Sequence, residues 1–225
     1  MAKLLTGIHL TQSVGDYLKA IYAAAGDGVA GTGEIAEALG VSAASVSGML
    51  VRLREEGLVR YEPYRGTRLT ARGEREALRL LRRHRLIESF MIERLGYTWD
   101  EVHGEAERIE HAISDRFAEA LAELLGYPSH DPHGDPIPSA DGSLPETPAT
   151  PLAELQPGEV LRVARLRTQE ADVLAYLAEL GVEPGVCIEV RGREPLGGLL
   201  TVAIGGRVHA LSKELATLIR GEVAA

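Results

Sequence analysis

At 225 residues the chain is long enough for two or three small domains, each burying a modest core. Its 45% hydrophobic and 25% charged residues are ordinary globular values, no run approaches the roughly 18 uncharged apolar residues of a membrane span, and one cysteine, Cys187, excludes an intrachain disulfide. The net charge of −9 opposes a nucleic-acid partner only on average, because residues 1–95 hold 14 Lys and Arg against 11 Asp and Glu, whereas residues 96–225 hold 10 against 22.

The opening MAKLLTGIHLTQSVGDYL carries one Lys and no long apolar core before a cleavage site, so it does not read as a signal peptide. With the single cysteine, this gives a cytoplasmic address and no membrane partner. Val14, Leu18, Ile21, Tyr22 and Ala25 recur at helical spacing and stop at Gly26-Asp27-Gly28. Residues 32–39 form a second, short helix ended by Gly40. Ser42 suits the N-cap of a third, whose Val46, Leu50 and Leu53 make one apolar stripe before Gly57. Two strand-like runs then flank Arg65-Gly66, a β-hairpin. Short helix, glycine turn, helix and hairpin in this order make a winged helix-turn-helix over residues 1–72.

A long Arg-rich helix follows from 70 to 95, with Ala77, Leu80, Leu81, Ile87, Met91 and Leu95 on one apolar side. Its Arg72, Arg75, Arg79, Arg82 and Arg83 read as a solvated, partly ion-paired face. Thr98 and Glu101 fit a capping box that opens another helix, with Val102, Ala106, Ile109 and Ile113 inward. The helical pattern runs on through Phe117, Leu121 and Leu124 to Gly126-Tyr127-Pro128, completing a helical domain over 73–128. Residues 129–151, dense in Pro, Asp and Ser, read as a linker. In 152–225, residues 159–166, 187–191, 199–204 and 207–210 read as strands and 171–180 as a helix, a small β-barrel-like module. Cys187 falls in a strand and is expected in the core, and His9, His130, His133 and His209 receive no role. The fold class is mainly α with a small β module.

In a winged helix-turn-helix the second helix enters the major groove and the wing lies on the backbone. Ser42, Ala44, Ser45, Ser47 and Gly48 would then meet the bases, and Arg52, Arg65 and Arg68 the phosphates. Such small side chains read few bases strongly, so DNA shape should carry part of the specificity.

The most informative residues are His84 with Glu88, four apart, and His103, Glu107, Glu110 and His111, which share one helical face. Imidazoles and carboxylates on inward stripes desolvate badly unless a cation lies between them. By spacing alone, a hydrogen-bonded polar cluster without metal stays open. The segments H-R-L-I-E, H-G-E-A-E-R-I-E-H and D-P-H-G-D-P-I-P, following a winged helix-turn-helix, resemble the diphtheria toxin repressor family of iron and manganese regulators along nearly the whole chain.

That resemblance implies an ancillary site of His84, Glu88 and His103, completed from a C-terminal SH3-like (FeoA-type) barrel by Glu170 and Asp172. It implies a primary, activating site of Asp16, Glu107, Glu110 and His111. It also implies a homodimer on a palindromic operator in double-stranded DNA, with metal as corepressor of metal-uptake genes. Iron-responsive members carry Met and Cys where this chain has Asp16 and Glu107; oxygen donors suit Mn(II) better, so Mn(II) is expected over Fe(II). Lys19, one turn after Asp16, stands where manganese-type members carry a further carboxylate, which puts a two-ion cluster in doubt. A metallohydrolase is the rival from another class, but the chain lacks H-E-x-x-H and any Ser or Cys nucleophile motif, so it is read as no enzyme. A metal-independent winged-helix regulator remains the alternative if the His and Glu set binds nothing.

Overall fold

The computed structural model describes residues 11–26, 28–195 and 198–224. His9 and Asp27 lie outside them. The chain divides into two compact units, 1–82 and 83–225.

The first unit begins with α1 (Gln12–Ala25), capped by the Thr11 hydroxyl, which accepts from the Val14 N–H. α2 (Thr32–Leu39) ends at Gly40 in the left-handed region, and α3 (Ala43–Glu55) starts where the Ser42 hydroxyl accepts from the Ser45 N–H at 3.2 Å. β1 (Val59–Glu62) and β2 (Gly66–Leu69) pair antiparallel as the expected hairpin. Leu18, Ile21, Ile35, Val46, Leu50, Leu53 and Leu58 are fully buried together, so each helix contributes the stripe its spacing dictates.

α4 (Ala71–Phe90) continues into a π-helical turn, Met91–Leu95. That wider turn shifts the register of the stripe, and Leu95, expected inside, is 57% exposed. α5 (Trp99–Ile109) opens with the capping box of Thr98 and Glu101. Instead of running on, it stops, and α6 (Asp115–Leu124) restarts at the Ser114 cap. Leu86, Ile87, Met91, Val102, Ala106, Ala118 and Leu121 form the core of this helical part.

Residues 129–149 contain no helix or named strand, yet Asp131, His133, Asp135 and Ile137 are buried. The linker reading fails for residues 131–138, because density of Pro and Asp records absence of repeat structure and says nothing about packing. β3 (Thr150–Pro151), β4 (Val160–Leu166), α7 (Ala171–Glu179), β5 (Cys187–Arg193), β6 (Leu200–Ile204), β7 (Arg207–Leu211), α8 (Lys213–Leu218) and β8 (Ile219–Ala224) complete the unit. The strands form one antiparallel sheet in the order β3-β8-β4-β5-β6-β7. Cys187 is exposed, contrary to expectation: period-two alternation turns Ile188 and Val190 inward and leaves Cys187 outside. Among the described residues no single helix is long and apolar enough to cross a membrane.

Candidate metal centre

The last turns of α4 carry His84 and Glu88 one helical turn apart, both buried, and α5 presents the half-buried His103 to them. His84 Nε2 lies 2.9 Å from Glu88 Oε1 and 3.1 Å from His103 Nδ1, while His103 Nδ1 lies 3.2 Å from Glu88 Oε1. The other nitrogen, His84 Nδ1, sits 2.6 Å from Glu110 Oε2 and 4.0 Å from Glu107 Oε1. A neutral imidazole carries one proton, so it cannot donate to carboxylates on both sides. The two carboxylates facing the ring therefore need a further proton or positive charge between them, which a divalent cation could supply.

Because α5 ends at Ile109, Glu110 caps it and His111 lies in the turn beyond, with His111 Nε2 3.2 Å from Glu110 Oε1. The expectation of one helical face for His103, Glu107, Glu110 and His111 is corrected to that extent. Asp16 lies on α1 in the other unit.

The buried segment after α6 adds residues that spacing alone did not reveal. The Asp131 carboxylate turns the chain, accepting from the N–H groups of His133 and Asp135 at 2.9 Å each. Ligand atoms of Glu88, Asp131 and His133 lie within 4.8 Å of one another, as do those of His84, Glu88 and His103, and those of His84, Glu107 and Glu110. Among the described residues both nitrogens of His133, Glu88 Oε2 and Asp131 Oδ2 are buried without a hydrogen-bond partner. Four orphaned atoms, all of types that ligate a divalent cation, are what a metal site looks like before its ion is counted. The residues present therefore fit a metal, and every donor is nitrogen or oxygen.

The electrostatics agree. Burial pushes the Glu88 carboxyl up, but the His84 charge, hydrogen bonds from His103 and His84, and the His133 charge outweigh it and hold the group well below the usual range. Asp131 is pushed up to about 8, first by burial, then by repulsion from Asp135 and Glu88, against the attraction of Arg85. Burial lowers His133, against the pull of Glu88 and Asp135, which favours the neutral form of the imidazole that a metal can bind.

The same segment is tied down on both sides. Arg85 donates to the Pro136 carbonyl and lies 3.7 Å from both Asp131 Oδ2 and Asp135 Oδ2. On the other side Arg165 of β4 pairs with Asp135, and the Leu166 N–H donates to the His133 carbonyl at 2.9 Å. Gly134, at φ +84°, presses on the Ala164 carbonyl, and a Cβ there would collide with it. Glu170 and Asp172 are exposed at the start of α7 and belong to none of the three groups; Gln169 reaches Asp135 instead, at 3.3 Å.

On the first unit, Ser42, Ala44, Ser45 and Gly48 are exposed along the first turns of α3, with Ser47 half-buried. Arg52 pairs with Glu56 at 2.8 Å, Arg65 with Glu62 at 3.3 Å, and Arg68 is exposed on β2. Of the arginines on α4, Arg79 pairs with Glu76 and Arg83 with Asp115, in keeping with a partly ion-paired face.

Residues 9–67 match the family model for the iron dependent repressor N-terminal DNA binding domain, 70–139 the iron dependent repressor metal binding and dimerisation domain, and 150–223 the FeoA domain. The iron-dependent repressor IdeR of Mycobacterium leprae is 32% identical, over 92% of this chain and 95% of its own. The diphtheria toxin repressor of Corynebacterium diphtheriae is 30% identical over the same shares. The chain belongs to the diphtheria toxin repressor family. It is thus a metal-dependent transcriptional repressor and no enzyme, with a DNA-binding domain and a dimerisation domain. A solved manganese-dependent transcriptional repressor in complex with manganese is similar at 39% identity, TM-score 0.88, over 94% of this chain and all of its own. The manganese regulator SloR is similar at 34% identity, TM-score 0.79, over 96% of this chain and all of its own.

Proposed function

We propose that the protein is a cytoplasmic, Mn(II)-activated repressor that binds a palindromic operator as a homodimer and controls metal-uptake genes. The observation that carries this reading is the cluster of buried His84, Glu88, Glu110, Asp131 and His133 with half-buried His103 and Glu107, whose orphaned atoms and abutting carboxylates call for a cation. A divalent cation supplies the positive charge that lets these carboxylates lie together. Its nitrogen and oxygen donors, with no thiolate or thioether, favour Mn(II) over later, softer metals. The likeness to manganese-dependent structures at up to 39% identity supports the same choice, while the iron-dependent name of relatives near 32% keeps Fe(II) as the second reading.

His84, Glu88 and His103 would hold an ancillary ion, with Asp131 and His133 as further donors; Glu170 and Asp172, exposed at α7, are poor candidates. Glu107, Glu110 and His111 would hold the activating ion. The resemblance adds Asp16 to that set. If loading is to move a mostly inactive population to a mostly active one, the active state must bind the ion better by about 5 kcal/mol, within reach of a site with several charged ligands.

Dimerisation is supported by apolar residues left in the open in the helical part. Phe117 and Leu124 lie seven residues apart on one face of α6 and are 52% and 56% exposed. The sheet of the C-terminal module is read as an SH3-like barrel. In the test, metal-stripped protein is titrated with Mn(II) and with Fe(II), anaerobically and at fixed salt, against DNA from its own upstream region. Tight binding that requires metal, with Mn(II) the more potent, is expected; equal binding without metal would make a metal-independent regulator the better reading.

A further inference from the structure

His133 is a donor whose ring has no polar tether. It is fully buried, and among the described residues neither of its ring nitrogens has a hydrogen-bond partner. Its backbone is fixed on both sides, since the His133 N–H donates to Asp131 Oδ1 and the His133 carbonyl accepts from the Leu166 N–H, each at 2.9 Å. Those bonds pin the chain but leave the imidazole free to turn about its last torsion, which is broad for histidine. A ligating imidazole is ordinarily oriented through its second ring nitrogen, hydrogen-bonded to a carboxylate or a carbonyl. His84 has such a partner in Glu110, 2.6 Å from its Nδ1.

What stands beside His133 instead is an aromatic ring. The Trp99 and His133 rings lie 5.1 Å apart between centroids and are inclined at 72°. Aromatic pairs prefer this edge-to-face arrangement, so it constrains the tilt that a hydrogen bond would otherwise set. Trp99 is itself firmly mounted. It opens α5, where the Thr98 N–H and hydroxyl both donate to Glu101 Oε2, at 3.1 and 2.7 Å. Half-buried, it also packs against the apolar core of the C-terminal module, so the indole touches both that core and His133.

Placement on the helix ties Trp99 to the rest of the cluster. His103 follows four residues later on the same face of α5, and its Nδ1 lies 3.1 Å from His84 Nε2. One face of α5 thus presents a donor to α4 and, one turn earlier, a ring that abuts a second donor. Filling the space would require only an apolar side chain of similar volume. Setting the tilt of an imidazole requires an aromatic ring, whose charge distribution distinguishes face from edge.

We propose that Trp99 is the positioning residue of the His133 imidazole. Its ring holds His133 so that ligand atoms of Glu88, Asp131 and His133 stay within 4.8 Å of one another, giving the donor geometry before the ion arrives. Because the same indole packs against the C-terminal module, metal affinity at His133 is tied to the seating of that module. The role rests on the reading of this cluster as a metal centre.

The test uses metal-stripped, full-length protein and Mn(II) alone, comparing wild type, Trp99→Leu and Trp99→Phe by equilibrium dialysis, with thermal unfolding of the metal-free proteins alongside. Leucine occupies the space without an aromatic ring, and phenylalanine restores one. Trp99→Leu is expected to bind one Mn(II) roughly tenfold or more weakly, the loss typical when a ligand's orienting partner is removed, and Trp99→Phe to recover most of it. If the leucine variant does not fold, Trp99→Met supplies the non-aromatic arm. Equal Mn(II) affinity in the aromatic and non-aromatic variants would reduce Trp99 to packing and overturn the proposal, whatever their melting temperatures. Wild type supplies a further readout, because Trp99 is the chain's one tryptophan and Mn(II) is a paramagnetic quencher. Its emission should fall in step with that binding event, and emission unchanged at saturating Mn(II) would also overturn the proposal. If wild type itself takes up no Mn(II), the metal-centre reading falls and the role of Trp99 with it.

Discussion

Glu107 stands where a single substitution tests the choice of metal. Glu107→Cys puts a thiolate among nitrogen and oxygen donors, so the ratio of Fe(II) or Co(II) to Mn(II) potency in operator binding should rise; an unchanged ratio would remove Glu107 from the activating site. A second residue-scale effect comes from Asp131. Its folded pKa of about 8 lies above the ordinary 3.8, so the metal-free fold is favoured by the protonated form. That contribution is complete below the unfolded value and is lost as pH climbs toward about 8. Urea unfolding of chelator-treated protein should therefore show stability falling from pH 5 to pH 8, with a flatter profile in Asp131→Asn. Glu88, held low, acts in a different window, since its contribution is lost only as pH falls below the carboxylate range. The clustering of His84, Glu88, His103 and Glu107 was legible because helical spacing converts sequence offset directly into a shared face, whereas Glu110 and His111 lie at the cap and turn beyond α5, where that spacing no longer holds. Asp131 and His133 were not legible, since no repeat governs the irregular chain that carries them. The motif D-P-H-G-D-P was visible, but its burial arises from partners 46 and 30 residues away, Arg85 and Arg165, which no local pattern announces.

At the scale of elements, α1 to α5 follow from apolar stripes and from caps such as Thr11, Ser42 and Thr98, because both signals are local. The π-helical turn and the break before α6 did not, for the residues on either side keep an apolar spacing compatible with one longer helix. β8 was missed for a related reason. Its Ile-Arg-Gly-Glu-Val-Ala lacks clean alternation, and it is a strand because β4, more than fifty residues earlier, pairs with it from Val160 to Leu166. The buried segment between α6 and β3 carries its own prediction. Gly134→Ala forces a side chain onto the Ala164 carbonyl at a left-handed φ, so thermal unfolding should show a loss of more than about 1 kcal/mol. Because the adjacent His133 is a proposed ligand, the variant should also bind Mn(II) less tightly. Wild-type stability in the Gly134→Ala protein would mean that the segment is looser than its contacts imply.

For the whole molecule, the chain belongs to a family of metal-dependent repressors, and the uneven charge is consistent with that role: Lys and Arg outnumber Asp and Glu over residues 1–95, and carboxylates predominate in the remainder. Assembly is the property the single chain reveals least directly, because an interface shows in sequence only as apolar residues in the wrong place. Phe117 and Leu124 are such residues. Phe117→Asp should shift sedimentation from dimer to monomer and weaken operator binding steeply, since the two DNA-binding domains would then bind independently; a variant that remains dimeric would place the interface elsewhere. The absence of sulfur from the donor set has a further consequence. A thiolate ligand is a target for peroxide, whereas imidazole and carboxylate ligands stand off the cysteine oxidation ladder altogether. The one thiol, Cys187, lies on the outer side of β5 and is no member of the donor groups. Mn(II)-stimulated operator binding should accordingly survive pretreatment of the metal-free protein with hydrogen peroxide, leaving a sensor that keeps its set point when the cell is under oxidative stress.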